Sequence, residues 1–495
     1  MPLRWISKPA SARSPLAPEQ PIIVLAPPGS ITPRHRLTQA LTAGSLLAVA
    51  SWPFQGPLPR AATSTLTVTN LNSSGPGSLL QAVKDANANA GADTISFGLG
   101  LAGTIPLTDT LLITDSVTIQ GPGPGLLSVS GGNAWRVFYL SSTASLPFTT
   151  TISGLTIRDG RAPTDGGGGG ILDMSENLIL DQVTVVSNTA DIERGGGVDF
   201  ESTKTSSAGL TIRNSVISGN AAGRGAGIAT YGSGGSVLIQ NTRVMSNTAL
   251  YHGGGLFFYK TYASTIVEDS TIADNSVSDT SGFRTGGGID FYSAIGGQQI
   301  VRRTTITGNK APVAAGVLLY KVTTPLVIEN TTISGNTASQ RGGGVYSEKS
   351  PFGAIQNSTI VSNTATDSGG GVDVLTTTVP ITNSIIAGNT AGAGQDITGT
   401  FVLRYDLVQV TGTAHITETG VNLFGLDPLL GPLADNGGPT QTHLPKHGSP
   451  AINAGDPAFA SPPSTDQRGR LRVVGRIDIG AVETQTDIFL PLVRR

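Results

Sequence analysis

One asparagine returns at near-regular intervals through the middle of this chain: Asn188, Asn220, Asn247, Asn275, Asn309, Asn336, Asn363 and Asn389, separated by 32, 27, 28, 34, 27, 27 and 26 residues. The same phrase recurs around it, as in "TRVMSNTALYHGGGLFF" and "TTISGNTASQRGGGVYS". Within each phrase apolar and polar residues alternate over four to six positions, which is strand periodicity, and the separators are Asn, Gly, Ser and Thr, which is turn chemistry. A repeat of this length built from strands alone implies a solenoid in which each unit stacks on the next. Three short strands per unit, each paired with its own copy one coil further on, make a parallel β-helix rising about 4.8 Å per coil.

Composition agrees with that reading. Of 495 residues 66 are Gly and only 13% are charged, the opposite of what long helices require. The net charge is -2 with no long run of either sign, so nothing favours nucleic acid as a partner. Cys is absent, which excludes disulfides and thiolate metal sites.

Stacking turns every aligned position into a column of neighbours. Six residues before the anchor lie Gln182, Asn214, Asn241, Asp269, Arg303, Asn330, Asn357 and Asn383, where side-chain amides are expected to bond along the axis. One residue earlier Asp181, Arg213, Gln240, Glu268, Arg302, Glu329 and Gln356 predict an exposed charge ladder. The glycine triplets at 195–197, 253–255, 286–288, 342–344 and 369–371 serve turns where coils crowd together. After them Val198, Ile228, Leu256, Ile289, Val317, Val345 and Val372 should point inward, and Asp199, Ala229, Phe257, Asp290, Leu318, Tyr346 and Asp373 outward.

Two positions further on, again outward, come Glu201, Tyr231, Tyr259, Tyr292, Tyr320, Glu348 and Leu375. Four consecutive coils thus offer a tyrosine, and with Phe257 beside them they form an aromatic strip suited to sugar rings or to a partner surface. Stacked tyrosines also stabilise a sheet face without any ligand. Before the glycines, Arg194, Arg224 and His252 share a turn column with Thr285, Val313, Arg341 and Ser368; the two arginines and the histidine lie on consecutive coils and suit an acidic polymer, or are simply solvated turns. Asp199, Asp290 and Asp373 stand three coils apart, roughly 14 Å, which is too far for paired glycosidase carboxylates. His443 and His447 have helical spacing, but Pro445 lies between them, so no helical metal pair is expected.

Both ends depart from the repeat. Residues 1–40 are Pro-rich and basic and are followed by the apolar run "LTAGSLLAVA" (41–50) and then by small residues, the order of a secretory leader over 1–62; the run is too short to span a bilayer. In "GPGSLLQAVKDANANAGADTISF" one helix is predicted, with Ser78 as its cap, Leu79, Leu80, Val83 and Ala86 as its apolar face and Gly91 as its end. It would close the open end of the solenoid.

That stretch resembles the N-terminal region of bacterial secreted β-helix proteins of the CSLREA type, without the name-giving cysteine. "DPLLGPLADNGGPTQTHLPKHGSPAINAGDPA" with "TDQRGRLRVVGRIDIGAVE" resembles the choice-of-anchor Q domain. The resemblance implies an all-β, right-handed, pectate-lyase-like parallel β-helix with an N-terminal capping helix, exported and often attached to the bacterial cell surface through varied C-terminal signals, with no established catalytic residues. The organisation expected is a leader over 1–62, the cap and first coils over 63–130, repeats over 131–415, the choice-of-anchor Q-like region over 416–483 and a tail over 484–495. The preferred reading is a secreted or cell-surface protein that binds a polysaccharide or cell-surface glycan, or adheres, through one long face. It is non-enzymatic, because no acid, base or metal cluster is concentrated in one place. Tyr231, Phe257, Tyr259, Tyr292, Tyr320, Arg194, Arg224 and His252 are the candidate ligand-binding residues. One alternative is a polysaccharide lyase or glycoside hydrolase acting on acidic polysaccharide, for which calcium would be the natural cofactor although no calcium motif is present. A structural surface-layer spacer without a ligand is the other.

Overall fold

A computed structural model describes residues 63–144, 146–163, 166–459 and 462–484. The leader expected over 1–62, and all of the 484–495 tail except Thr484, lie outside the described residues. The repeat register predicts which residues pair, and the pairing follows it: Val198, Ile228, Leu256, Ile289, Val317, Val345 and Val372 are successive partners in one parallel ladder. Among the described residues the solenoid strands form three parallel sheets of 23, 13 and 7 strands, the architecture of a parallel β-helix.

A central coil has four strand segments where three were expected. Val198–Glu201 and Leu210–Arg213 both belong to the largest sheet, Val216–Ser218 to the second and Ala221–Arg224 to the third. The extra segment arises because the loop over 202–209 interrupts the chain within the largest sheet and divides it into two strands. Inward side chains fill the tube: Phe200, Phe258 and Phe291 are fully buried, with the Phe258 and Phe291 rings 5.1 Å apart. Each such side chain contributes about 1.5–3 kcal/mol by leaving water.

The triplet 253–255 shows why glycine is needed. Gly253 has φ +62°, and a Cβ on Gly254 or Gly255 would lie 2.6 or 2.7 Å from the next coil's carbonyl oxygens.

Polar order inside the tube comes from the anchor asparagines themselves. The Oδ1 of Asn275 accepts from the backbone N of Asn247 at 3.1 Å and from its Nδ2 at 2.9 Å, while the Nδ2 of Asn275 donates to Asn309 at 3.0 Å and to the Val244 carbonyl at 2.9 Å. The chain of amides runs from Asn188 to Asn389 and ends on the carboxylate of Asp396. This corrects the expectation that the column six residues earlier carries the amide ladder. Those residues hold φ between 46° and 53°, a left-handed turn that Asn and Asp tolerate, and their side chains form no continuous ladder: Asn241 reaches Asn214 on the preceding coil at 2.8 Å, but Asn330 donates instead to the Thr465 carbonyl at 2.8 Å. The neighbouring charge ladder is present: Arg213 meets Asp181 at 3.0 Å and Arg302 meets Glu268 at 2.6 Å. It is less exposed than predicted, since Glu268 is buried.

Helix α1 (Leu79–Ala88) starts at Ser78, whose side chain accepts from the Gln81 backbone, and buries Leu79, Leu80, Ala82, Val83 and Ala86 against the first strands. The chain after the last coil doubles back as a strap along the second sheet. Gln467 accepts from Thr332 at 2.6 Å and donates to Thr305 at 3.0 Å, and the Thr359 hydroxyl accepts from the backbone of Ala481 at 3.0 Å. His443 belongs to an antiparallel strand of this strap, Thr442–Pro445, and bonds Ser334 at 2.9 Å. Among the described residues no helix is long and apolar enough to cross a membrane.

Candidate functional site

The third-sheet strands end at the turn column, and the glycines then reverse the chain so that this column leans over the strand that follows. Arg194, Arg224, His252, Thr285, Val313, Arg341 and Ser368 are successive neighbours there, as the repeat implied. The overhang adds what alternation does not predict: the column beneath it points away from the tube, as expected, but is buried. Phe257 is only 3% exposed, and Asp199, Asp290 and Asp373 are fully covered, because a turn-column side chain closes over each. Arg194 lies on Asp199 and Arg341 on Asp373 at 3.0 Å, and His252 with Thr285 covers Asp290.

The tyrosine column is half-buried and continuous. Ring centroids are 4.9 Å apart from Tyr231 to Tyr259, 5.7 Å from Tyr259 to Tyr292 and 4.9 Å from Tyr292 to Tyr320. Phe257 lies 6.0 Å from Tyr259 and 6.1 Å from the His252 ring, and His252 meets Tyr292 edge-on at 5.7 Å. Between the overhang and the strip opens a pocket of about 290 Å³ lined by Arg194, Arg224, Tyr231, His252, Phe257, Tyr259 and Tyr292. Seven of the eight candidate residues therefore converge on one cavity; Tyr320 continues the strip beyond it and packs on Phe283 at 5.1 Å.

The two pocket arginines differ in charge balance. Arg194 is held by Glu201 and Asp199 and lies over the Tyr231 ring. Arg224 lies 5.3 Å from the Tyr251 ring centroid, and Arg284 4.7 Å from the same ring. Arg284 is paired with Asp279 at 2.9 Å, whereas Arg224 has no carboxylate within ion-pair distance among the described residues. Arg224 is thus a cation in the pocket without a compensating acid.

His252 carries the other polar function. Burial and then the cations of Arg224 and Arg284 push its pKa down to about 4, so it is neutral near pH 7. Its Nδ1 is 2.9 Å from the Thr285 hydroxyl, which donates to Asp290 Oδ2 at 2.8 Å. Burial pushes Asp290 up to about 7 against the pull of that hydrogen bond. A threonine hydroxyl has one hydrogen. When Asp290 is ionised that hydrogen goes to the carboxylate, Nδ1 must be the donor to the Thr285 oxygen, and the Nε2 lone pair becomes the basic site of the ring.

Sequence reasoning missed Tyr251, Arg284 and the Thr285–Asp290 pair. A signal for the pair was present, since a polar residue followed by three glycines, a β-branched residue and Asp recurs at 194–199, 285–290 and 368–373. Ser368 donates to Asp373 at 3.0 Å just as Thr285 donates to Asp290. Among the described residues no group of three or more His, Asp or Glu is placed to hold a metal ion.

The family model described as the right handed beta helix region matches residues 138–272 and 204–400. Among solved structures, pectate lyase Pel9A is similar at 14% identity and TM-score 0.42, covering 86% of this chain and 98% of its own. The A-module of the Azotobacter vinelandii mannuronan C-5 epimerase AlgE6 is similar at 12% identity and TM-score 0.37, with 73% and 100% covered. A mannuronic acid specific polysaccharide family 6 lyase from human gut microbiota is similar at 10% identity and TM-score 0.34, with 73% and 87% covered. No curated protein matches the chain. These distant likenesses assign no role to any residue of the pocket.

Proposed function

Since this chain belongs to the right-handed β-helix family, whose scaffold leaves chemistry to the columns it displays, we propose that it binds an acidic glycan in the pocket between the turn overhang and the tyrosine strip. The observation that carries this reading is the uncompensated guanidinium of Arg224 at the edge of stacked tyrosines. Aromatic faces receive the apolar faces of sugar rings, and a planar guanidinium pairs with a carboxylate through two parallel hydrogen bonds. A neutral His252 adds a polar group to the pocket without adding charge.

Calorimetric titration of the full chain with uronate oligosaccharides tests the proposal. Arg224→Gln is expected to weaken binding by about tenfold or more, the worth of one charge-assisted contact. Tyr259→Ala with Tyr292→Ala should weaken it at least as much. Affinity unchanged in both variants would refute the assignment of this face.

The His252–Thr285–Asp290 relay favours a second reading, elimination from a bound uronate. In that step Nε2 of His252 takes the proton on the carbon that bears the carboxylate. The C–H electron pair becomes a C=C bond as the C–O bond to the next sugar breaks, and the departing oxygen takes a proton from water. The same incubations can be followed for the ultraviolet absorbance of unsaturated ends. Product that forms with the parent and disappears with His252→Gln would make the protein a lyase, and no product on long incubation would leave binding alone.

Placement on the outside of a bacterial cell belongs to the same proposal, supported by the leader-like order of residues 1–62 and by the CSLREA-like and choice-of-anchor Q-like segments. Protease shaving of intact cells that fails to release the protein's peptides would count against it.

A further inference from the structure

We propose that the site takes a linear polyuronate lying along the solenoid axis, with Lys260 and Lys321 as further anion contacts beyond Arg224. This deepens the glycan reading above and rests on it.

The residue after each strip position forms its own column. The backbone N–H groups of Gly232, Lys260, Ser293 and Lys321 donate in turn to the carbonyls of Tyr259, Tyr292, Tyr320 and Glu348 at 2.8–3.2 Å, so these four residues, with Lys349 next, lie on consecutive coils along the strip's far border. Lys260, Lys321 and Lys349 each have φ 53°. That left-handed backbone suits glycine, which Gly232 supplies in the same column, and it strains a side chain such as lysine. Conformation therefore does not account for lysine there, whereas charge does.

The ammonium groups turn back over the strip. Lys260 Nζ lies 5.1 Å from the Tyr259 ring centroid and Lys321 Nζ 5.0 Å from that of Tyr320. Lys349 is paired with Glu348 at 2.7 Å, whereas Lys260 and Lys321 have no ion-pair partner among the described residues. On the near border Arg194 and Arg341 are already paired with acids, and Arg224 is not. The cations left for a ligand therefore flank both sides of the strip, on the coils of Tyr231, Tyr259 and Tyr320.

Three coil steps separate the first of those coils from the last, about 14 Å at strand spacing. A single acidic sugar does not reach from Arg224 to Lys321; a chain running along the axis does. The rings between them, 4.9–5.7 Å apart, present successive faces along that line.

The test compares the parent with Lys260→Gln/Lys321→Gln, titrated with a uronate dimer and a uronate hexamer at two salt concentrations. For the parent, affinity is expected to rise at least tenfold from dimer to hexamer and to fall with salt. The variant should lose most of the gain with length and show a weaker salt dependence, with a smaller loss of dimer affinity because Lys260 stands one coil from Arg224. Lys260→Gly/Lys321→Gly, which relieves the backbone, should lose the same gain, separating loss of charge from misfolding. A variant with undiminished length dependence overturns this proposal alone. So does a polyglutamate peptide or a sulfated glycan binding as tightly as the hexamer, because the occupant would then not be a polyuronate. A parent that binds neither dimer nor hexamer overturns the pocket reading as well.

Discussion

Asn275→Ala is expected to destabilise the solenoid by about 4 kcal/mol or more, close to the largest effects that single substitutions produce. Asn275 is fully buried and its amide makes four hydrogen bonds, two to Asn247 and one each to Val244 and Asn309. Alanine removes all four and leaves buried donors on Asn247 unpaired, at about 1–3 kcal/mol for each stranded group. Each coil leans on its neighbours, so the loss should be local, with hydrogen-exchange protection falling first around residues 244–309. Asn241→Ala is the control. That residue sits in the turn column first credited with the amide ladder, where its side chain bonds only Asn214, and its loss should cost about 1 kcal/mol. Equal effects of the two substitutions in denaturant titration would mean that the buried ladder does not stabilise the stack.

The second large effect depends on pH. Burial raises Asp290 from 3.8 to about 7, so the folded chain prefers the protonated carboxyl. The stability this group contributes is therefore fully present below about pH 4 and is lost as pH rises through 7. At about 1.4 kcal/mol per pH unit the loss amounts to roughly 4 kcal/mol. Asp290→Asn cannot ionise. The free-energy gap between parent and variant should then move by that amount in the variant's favour between pH 4 and pH 8, whatever constant offset the new amide introduces. Urea unfolding at the two pH values is the measurement, and a gap that does not change with pH would sink the prediction. Asp199, raised to about 7, and Asp406, raised to about 8, shift the parent in the same direction, which is why the comparison must be between parent and variant. His252 acts oppositely: lowered to about 4, it contributes stability above about pH 6.5 that is lost as pH falls toward 4. It is common to both proteins.

The columns were legible in the sequence because stacking converts period into adjacency: Arg224 does face His252, and Tyr259 does face Tyr292. What alternation does not encode is cover. It tells that Phe257 and Asp290 point away from the tube, but whether water reaches them depends on the overhang of the turn column, a contact between segments of different phase. The amide ladder was read one turn away from its true position because both columns are rich in asparagine, and only the backbone angle tells them apart: Asn241 at φ 46° fills a tight corner, while Asn247 faces inward. The strap was invisible for a different reason. It has no repeat, so nothing in the spacing of Gln467 announces that it bonds Thr305 and Thr332, more than 130 residues earlier.

The amide chain has a direction. Every Nδ2 from Asn188 onward reaches toward the C-terminal neighbour, and Asp396 ends the series with an oxygen that only accepts. A duplicated coil inserted anywhere between those two residues finds a matching donor below and a matching acceptor above, whereas one added after Asp396 meets a group with no hydrogen to pass on. The molecule can therefore lengthen from within by copying one unit of DNA, and each copy placed among the tyrosine coils adds another step to the aromatic strip while leaving its two ends chemically unchanged.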